Sequence, residues 1–306
     1  MDVDERKPSY LALRSSGELA SRVEKARRLM EECVLCGHAC RARRLVGERG
    51  VCRAGETVRV SSYGPHFGEE RPLVGRRGSG TIFFTSCNLR CVFCQNWDIS
   101  HDPEGGQEVG TEKLAAIMLS LQARGCHNVN LVTPTHYLPQ ILAALDAAAA
   151  QGLEIPLVYN CGGYEALQAL KLLDGVVDIY LPDVKYADPE VGLRLSGARD
   201  YPKVVKRALR EMHRQVGVLK TDREGVAYRG LLVRHLVLPG GLAGTAELCR
   251  FIAEELSPET HINIMDQYRP CHRAHDYPPL DRPVRRAEVE EAKEAARLAG
   301  LRNLHR

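Results

Sequence analysis

The sequence contains no apolar run approaching the roughly 20 residues of a membrane span, so no transmembrane helix is expected. It also lacks a strong charge of either sign. Against 42 Lys and Arg stand 39 Asp and Glu, and the formal net charge of +3 gives no basis for a nucleic-acid partner. No internal repeat, low-complexity tract or Gly-Lys-Ser/Thr phosphate loop is present. Gly75-x-x-Gly78-x-Gly80 precedes a β-prone run, whereas a dinucleotide fingerprint must follow one. The opening residues, Met1 to Lys7, are charged and lack the apolar core of a secretion signal. The chain has 306 residues, 44% hydrophobic and 26% charged, which predicts one large globular domain or a barrel with a small appendage, residing in the cytoplasm.

Cysteine is what the chain has in quantity. Eleven are present, an odd number in tight clusters, which does not suit a secreted disulfide framework. In a reducing compartment such thiols are metal ligands first. The densest cluster is Cys87-Asn-Leu-Arg-Cys91-Val-Phe-Cys94, spaced C-x3-C-x2-C directly after the apolar run Thr81-Ile-Phe-Phe. A [4Fe–4S] cluster is normally held by four Cys thiolates. Three at this spacing leave one iron open, and an open position is what a metal centre needs to act on another molecule. A zinc knuckle completed by a distant ligand is the alternative.

A second cluster follows a helical pattern over residues 15–32, which opens with an apparent capping box, Ser15-x-x-Glu18. Cys33, Cys36, Cys40 and Cys52, spaced x2, x3 and x11, make a full ligand set for either one zinc ion or one auxiliary Fe–S cluster. The arginines between Cys40 and Cys52 read as a solvated basic turn. Residues 57–63 predict a short two-stranded segment, followed by a Gly/Pro-rich linker. The domain reading is therefore a Cys-rich N-terminal module over 1–78 and a main domain over 79–306.

From Gly80 onward apolar strands alternate with helical patterns. The strands are expected at Thr81–Ser86, Val129–Thr133, Pro156–Tyr159, Val176–Leu181, Leu231–Leu238 and His261–Met265. Helices are expected near 111–124, 137–151, 164–173, 200–215, 243–256 and 284–299. Six such units predict an α/β fold, a partial (β/α)6 TIM-like barrel. Ligands of such folds collect at the carboxyl ends of the strands, so the residues there are the candidates. Phe93 stands just before Cys94. Thr133, Thr135 and His136 follow the second strand, His136 being a candidate acid or base. Asn160 and Cys161 end the third, with Cys161 a candidate for a substrate or radical role. Asp183 and Lys185 end the fourth, and two-residue spacing on an extended chain turns both side chains the same way. Arg234 and His235 fall on opposite faces of the fifth.

The string Thr81 to Trp97, with Asp183-Val-Lys185 and the Val233-Arg-His-Leu-Val-Leu-Pro239 segment, resembles the glycyl-radical-enzyme activase branch of the radical S-adenosylmethionine (SAM) superfamily. The whole chain is similar to an uncharacterised subgroup related to pyruvate formate-lyase activating enzymes, on Thr-Pro-Thr-His, Tyr-Asn-Cys-Gly-Gly-Tyr and the N-terminal cysteines. That resemblance implies a [4Fe–4S] cluster on Cys87, Cys91 and Cys94 whose open iron chelates SAM. It implies reductive cleavage of SAM to a 5′-deoxyadenosyl radical that abstracts hydrogen from a protein, peptide or small molecule, with flavodoxin or ferredoxin as electron donor. It places Phe93 beside the adenine, Asp183 on the ribose and Lys185 on the methionine carboxylate. Where most members carry Gly-Gly-Glu for the methionine amino group, this chain has Thr133-Pro-Thr-His136. Two other readings compete: a non-catalytic zinc or Fe–S binding module, and an RNA-modifying radical SAM enzyme.

Overall fold

The computed structural model describes residues 7–305; the charged opening residues 1–6 lie outside them. Ten strands among the described residues join in one sheet. They are β1 (Val58–His66), β2 (Ser79–Phe84), β3 (Gln107–Val109), β4 (Val129–Val132), β5 (Leu157–Cys161), β6 (Ile179–Pro182), β7 (Lys220–Thr221), β8 (Ala227–Leu236), β9 (His261–Met265) and β10 (Asn303–His305). In space the order is β10-β9-β8-β6-β5-β4-β2-β1-β3, with β7 beside β8. From β10 to β2 every pairing is parallel. Helices Thr111–Ala123, Leu138–Ala150, Leu167–Leu172, Tyr201–Val216, Thr245–Glu255 and Arg286–Leu298 return the chain between these strands. The result is the partial α/β barrel that the alternating pattern predicts.

Parity explains the two cores. Val158, Ile179, Leu181 and Leu232 face the lumen and meet Leu73 and Leu219 in a small separate cluster that fills its floor. Their strand neighbours Tyr159, Tyr180, Leu231 and Val233 face outward into the larger core beneath the helices. Two residues beyond the floor on the same face come Asn160, Asp183 and Arg234, which line the cavity above it.

Three local features depart from the sequence reading. The segment at 57–63 is no separate hairpin: β1 runs on to His66 and pairs antiparallel with β2, from Val60 opposite Phe84 to His66 opposite Ser79. The partner of an apolar half-strand is the next apolar run, so the N-terminal part shares the main sheet. β10 adds a further parallel strand beside β9. The expected capping box does not form either. Ser15 and Ser16 donate back to Leu11 O and Leu13 O, because a helix over Tyr10–Ser15 already occupies that stretch; the next, Glu18–Arg28, starts from Gly17 at φ 76°.

Candidate active site

One cavity of about 720 Å³ opens at the carboxyl ends of the parallel strands, a volume in the range of small-molecule sites. Cys87, Cys91 and Cys94 line it together with Phe93, Thr133, Asn160, Cys161, Asp183 and Lys185. Each cysteine sulfur has a polar neighbour. Leu89 N–H lies 3.3 Å from Cys87 Sγ, Ser196 Oγ donates to Cys91 Sγ at 2.9 Å, and Ser100 Oγ stands 3.2 Å from Cys94 Sγ. Burial pushes the Cys87 and Cys94 thiols up from their ordinary value, so a bound metal is what would hold them as thiolates. Among the described residues no three Cys, His, Asp or Glu side chains converge on a point suited to a single ion. A cubane needs no such convergence, since each thiolate binds a different iron. The donor set fits a three-cysteine [4Fe–4S] site, with outer hydrogen bonds that stabilise thiolate charge.

Across the cavity Lys185 Nζ donates to Asp183 Oδ2 at 2.7 Å, so the pair does share one face. Burial disfavours the Lys185 ammonium, but the Asp183 carboxylate more than offsets that and its pKa is raised. Phe93 is buried and packs edge-on to Tyr186 and Tyr268. Lower in the lumen Arg234 donates from Nε and Nη2 to the two carboxylate oxygens of Glu70, at 2.7 and 2.6 Å, and also to Glu69. Asn263 Nδ2 gives Glu70 a further bond at 2.8 Å. Burial opposes ionisation of Glu70, yet these bonds hold its pKa below the usual carboxylate value. His235 faces outward, bonded to Val184 O and Thr245 Oγ1. The sequence reading missed Glu69 and Glu70, which sit in the segment it treated as linker.

Thr135 and His136 do not reach this cavity. Thr133 takes a left-handed backbone at φ 60°, and both side chains line a second, smaller pocket instead. His136 Nε2 lies 2.8 Å from Thr85 O; burial, then Arg44, lowers its pKa to about 3, so the ring is neutral. Thr135 Oγ1 donates to Glu165 Oε1 at 2.8 Å, while Tyr159 OH donates to Glu165 Oε2 at 3.1 Å. Neither the acid–base role for His136 nor a SAM contact for Thr135 has a geometric basis.

Glu165 was not singled out by sequence, for nothing local marks it. Burial raises its pKa from 4.5 to about 7 despite those hydrogen bonds. A carboxyl with a raised folded pKa favours the fold while protonated. Its contribution is full below about pH 4.5 and is lost as pH climbs to about 7, roughly 3 kcal/mol in all. Glu165→Gln is expected to flatten this part of the stability profile; melting temperatures followed from about pH 5 to about pH 7 would show whether the slope persists.

The second cysteine set also comes together. Cys33, Cys36, Cys40 and Cys52 line one small pocket with His38, Arg44, Asn88, Thr135 and His136. Any side chain at Gly50 would overlap Cys40 Sγ, so glycine there leaves the thiol its place. Among the described residues the non-glycine positions with left-handed backbone are Ala39, Arg41, Arg53, Ser86, Thr133 and His272. Five of these flank a cysteine of the two sets or of Cys271, and Thr133 lines the main cavity. Such conformations persist where the surroundings over-determine them.

A parallel barrel with three clustered cysteines and a buried ion pair at its strand ends is a site suited to an iron–sulfur cofactor, and comparison with known proteins agrees. Residues 81–223 match the Radical SAM superfamily. An uncharacterized Methanocaldococcus jannaschii protein, MJ0674, is 35% identical over 304 residues, covering 96% of this chain and 80% of that protein. A second from the same organism, MJ0808, is 24% identical over 276 residues, covering 84% and 75%. Among solved structures, Streptococcus suis SuiB bound to its precursor peptide SuiA aligns with a TM-score of 0.45 at 14% identity, over 68% of this chain and 42% of SuiB. TYW1 with a lysine–pyruvate adduct aligns with a TM-score of 0.44 at 12% identity, over 71% of this chain and 73% of TYW1. The chain spans less than half the length of SuiB. It belongs to the radical SAM superfamily, which implies an enzyme that uses SAM and a [4Fe–4S] cluster. No helix among the described residues is long and apolar enough to cross a membrane.

Proposed function

We propose that this chain is a cytoplasmic radical SAM oxidoreductase of the activating-enzyme-like kind, acting on a protein, peptide or small molecule, with a glycyl radical enzyme among the possible targets. When bound, the [4Fe–4S] cluster supplies the electron that splits SAM into methionine and a 5′-deoxyadenosyl radical. The observation that carries this reading is that Cys87, Cys91, Cys94, Asp183 and Lys185 line one cavity at the strand ends. The three cysteines would hold the cluster. Lys185, kept charged by Asp183, would take the methionine carboxylate, and Asp183 would take the ribose hydroxyls. Thr133 and Asn160 offer oxygens to the amino group, and Phe93 presents a ring edge to the adenine. Cys161, at the same rim, is the remaining candidate for contact with substrate. A flavodoxin or ferredoxin would supply electrons. The N-terminal part, residues 1–78, would carry a second metal centre on Cys33, Cys36, Cys40 and Cys52, iron–sulfur or zinc.

Protein reconstituted anaerobically, given dithionite and SAM, should form 5′-deoxyadenosine; none formed would sink the reading. Asp183→Asn should weaken SAM binding about 10–100-fold, since a charge-assisted hydrogen bond contributes about 1.5–3 kcal/mol. Equilibrium binding to the reconstituted protein tests this, and an unchanged dissociation constant would remove Asp183 from the site.

A further inference from the structure

The four-cysteine pocket has an unbalanced charge. Arg44, which lines it, is fully buried. Its terminal nitrogens donate to His136 O at 2.6 Å and to Gly55 O. Both acceptors are neutral, its Nε–H has no acceptor at all, and among the described residues no carboxylate pairs with it. A buried guanidinium without a counter-charge is strongly unfavourable. Thiolates around a metal centre in the same pocket would supply that negative charge, and the free Nε–H would supply a donor to sulfur, the kind of outer hydrogen bond that tunes such centres.

Two observations favour iron–sulfur over zinc. The four cysteines surround a pocket, yet no three of the described ligand side chains converge as a single ion requires. The pocket also abuts the other site. His38 Nε2 bonds Asn88 O at 2.8 Å, Asn88 lines the four-cysteine pocket, and its chain neighbour Cys87 lines the main cavity. A zinc ion has no redox role to gain from that adjacency.

We propose that Cys33, Cys36, Cys40 and Cys52 hold an iron–sulfur cluster, that Arg44 is its buried counter-charge, and that single electrons pass across the Asn88 segment to the centre at Cys87, Cys91 and Cys94. This deepens the proposed function and rests on its second metal centre. In each transfer one cluster goes from the +1 to the +2 level and the other from +2 to +1. No bond forms and no proton moves, and the electron originates in a low-potential one-electron carrier protein.

The test uses a full-length variant with Cys87, Cys91 and Cys94 all changed to Ala, reconstituted with iron and sulfide. It should retain about half of the wild-type iron and sulfide and give an electron paramagnetic resonance signal on reduction. Zinc without sulfide overturns the assignment, while 5′-deoxyadenosine formation by the wild type reports separately on the main site. In the same background Arg44→Gln should release iron to a chelator about 10–100-fold faster, and Arg44→Lys, which keeps the charge, should stay close to the parent. Equal acceleration in both, or none in either, removes the counter-charge role. If Arg44→Gln does not fold by circular dichroism, Arg44→Met takes its place: release about 10–100-fold faster than in Arg44→Lys supports the role, and equal rates in the two end it. In doubly reduced wild type the signals should be broadened relative to the sum of variants lacking either set; simple additivity rules out the electron path.

Discussion

Replacing Cys87 with Ala should reduce 5′-deoxyadenosine formation to the level of iron-free protein. The site has three sulfurs for a cluster that needs a fixed open position, and two cannot define it. Cys87 follows Ser86, whose backbone is left-handed at φ 69°, and its sulfur lies 3.3 Å from the Leu89 N–H. Iron analysis should show one cluster's worth lost while the iron on the other cysteine set remains. A variant that keeps its full iron and still forms 5′-deoxyadenosine would show that Cys87 is no ligand. Cys87→Ser, which keeps size but offers a harder oxygen ligand, should recover little.

The other large effect is on stability. Arg234→Met should destabilise the fold by about 3–5 kcal/mol, because it leaves Glu70 buried without its cation, while Glu69 keeps His66 at 3.0 Å. For a chain of this size that is a drop of roughly 10 °C in melting temperature. The sign with pH follows from Glu70, whose folded pKa is depressed. In the wild type its contribution is present above about pH 4.5 and is lost as pH falls through the lower folded value. In the variant the uncompensated carboxyl protonates readily, so the gap to wild type should narrow as pH falls. Adding Glu70→Gln to Arg234→Met should recover part of the loss. A calorimetric difference below about 1 kcal/mol would mean the pair contributes little beyond its own desolvation.

How much of this was legible depends on range. The parallel strands and their helices could be read because each is a local pattern, an apolar run or a 3.6-residue period, and Asp183 with Lys185 because two-residue parity fixes a face. The Glu70–Arg234 clamp joins residues 164 positions apart, and no spacing rule reaches that far. Thr135 and His136 were misplaced for a related reason. A left-handed backbone at a β-branched residue, Thr133, is rare enough that sequence argues against it, yet Thr133 has one, and the two side chains that follow lie outside the cavity. Arg44 read as part of a solvated basic turn, and only the folded chain puts it in the interior.

The left-handed residues beside the cysteines have a consequence for anyone altering this protein. For L-residues that conformation costs about 1–2 kcal/mol, and a glycine at Ala39 or Arg53 would relieve it. The same change would free the backbone on which Cys40 and Cys52 are mounted. Substitutions chosen there for heat resistance would therefore trade against how firmly the loops present their sulfurs.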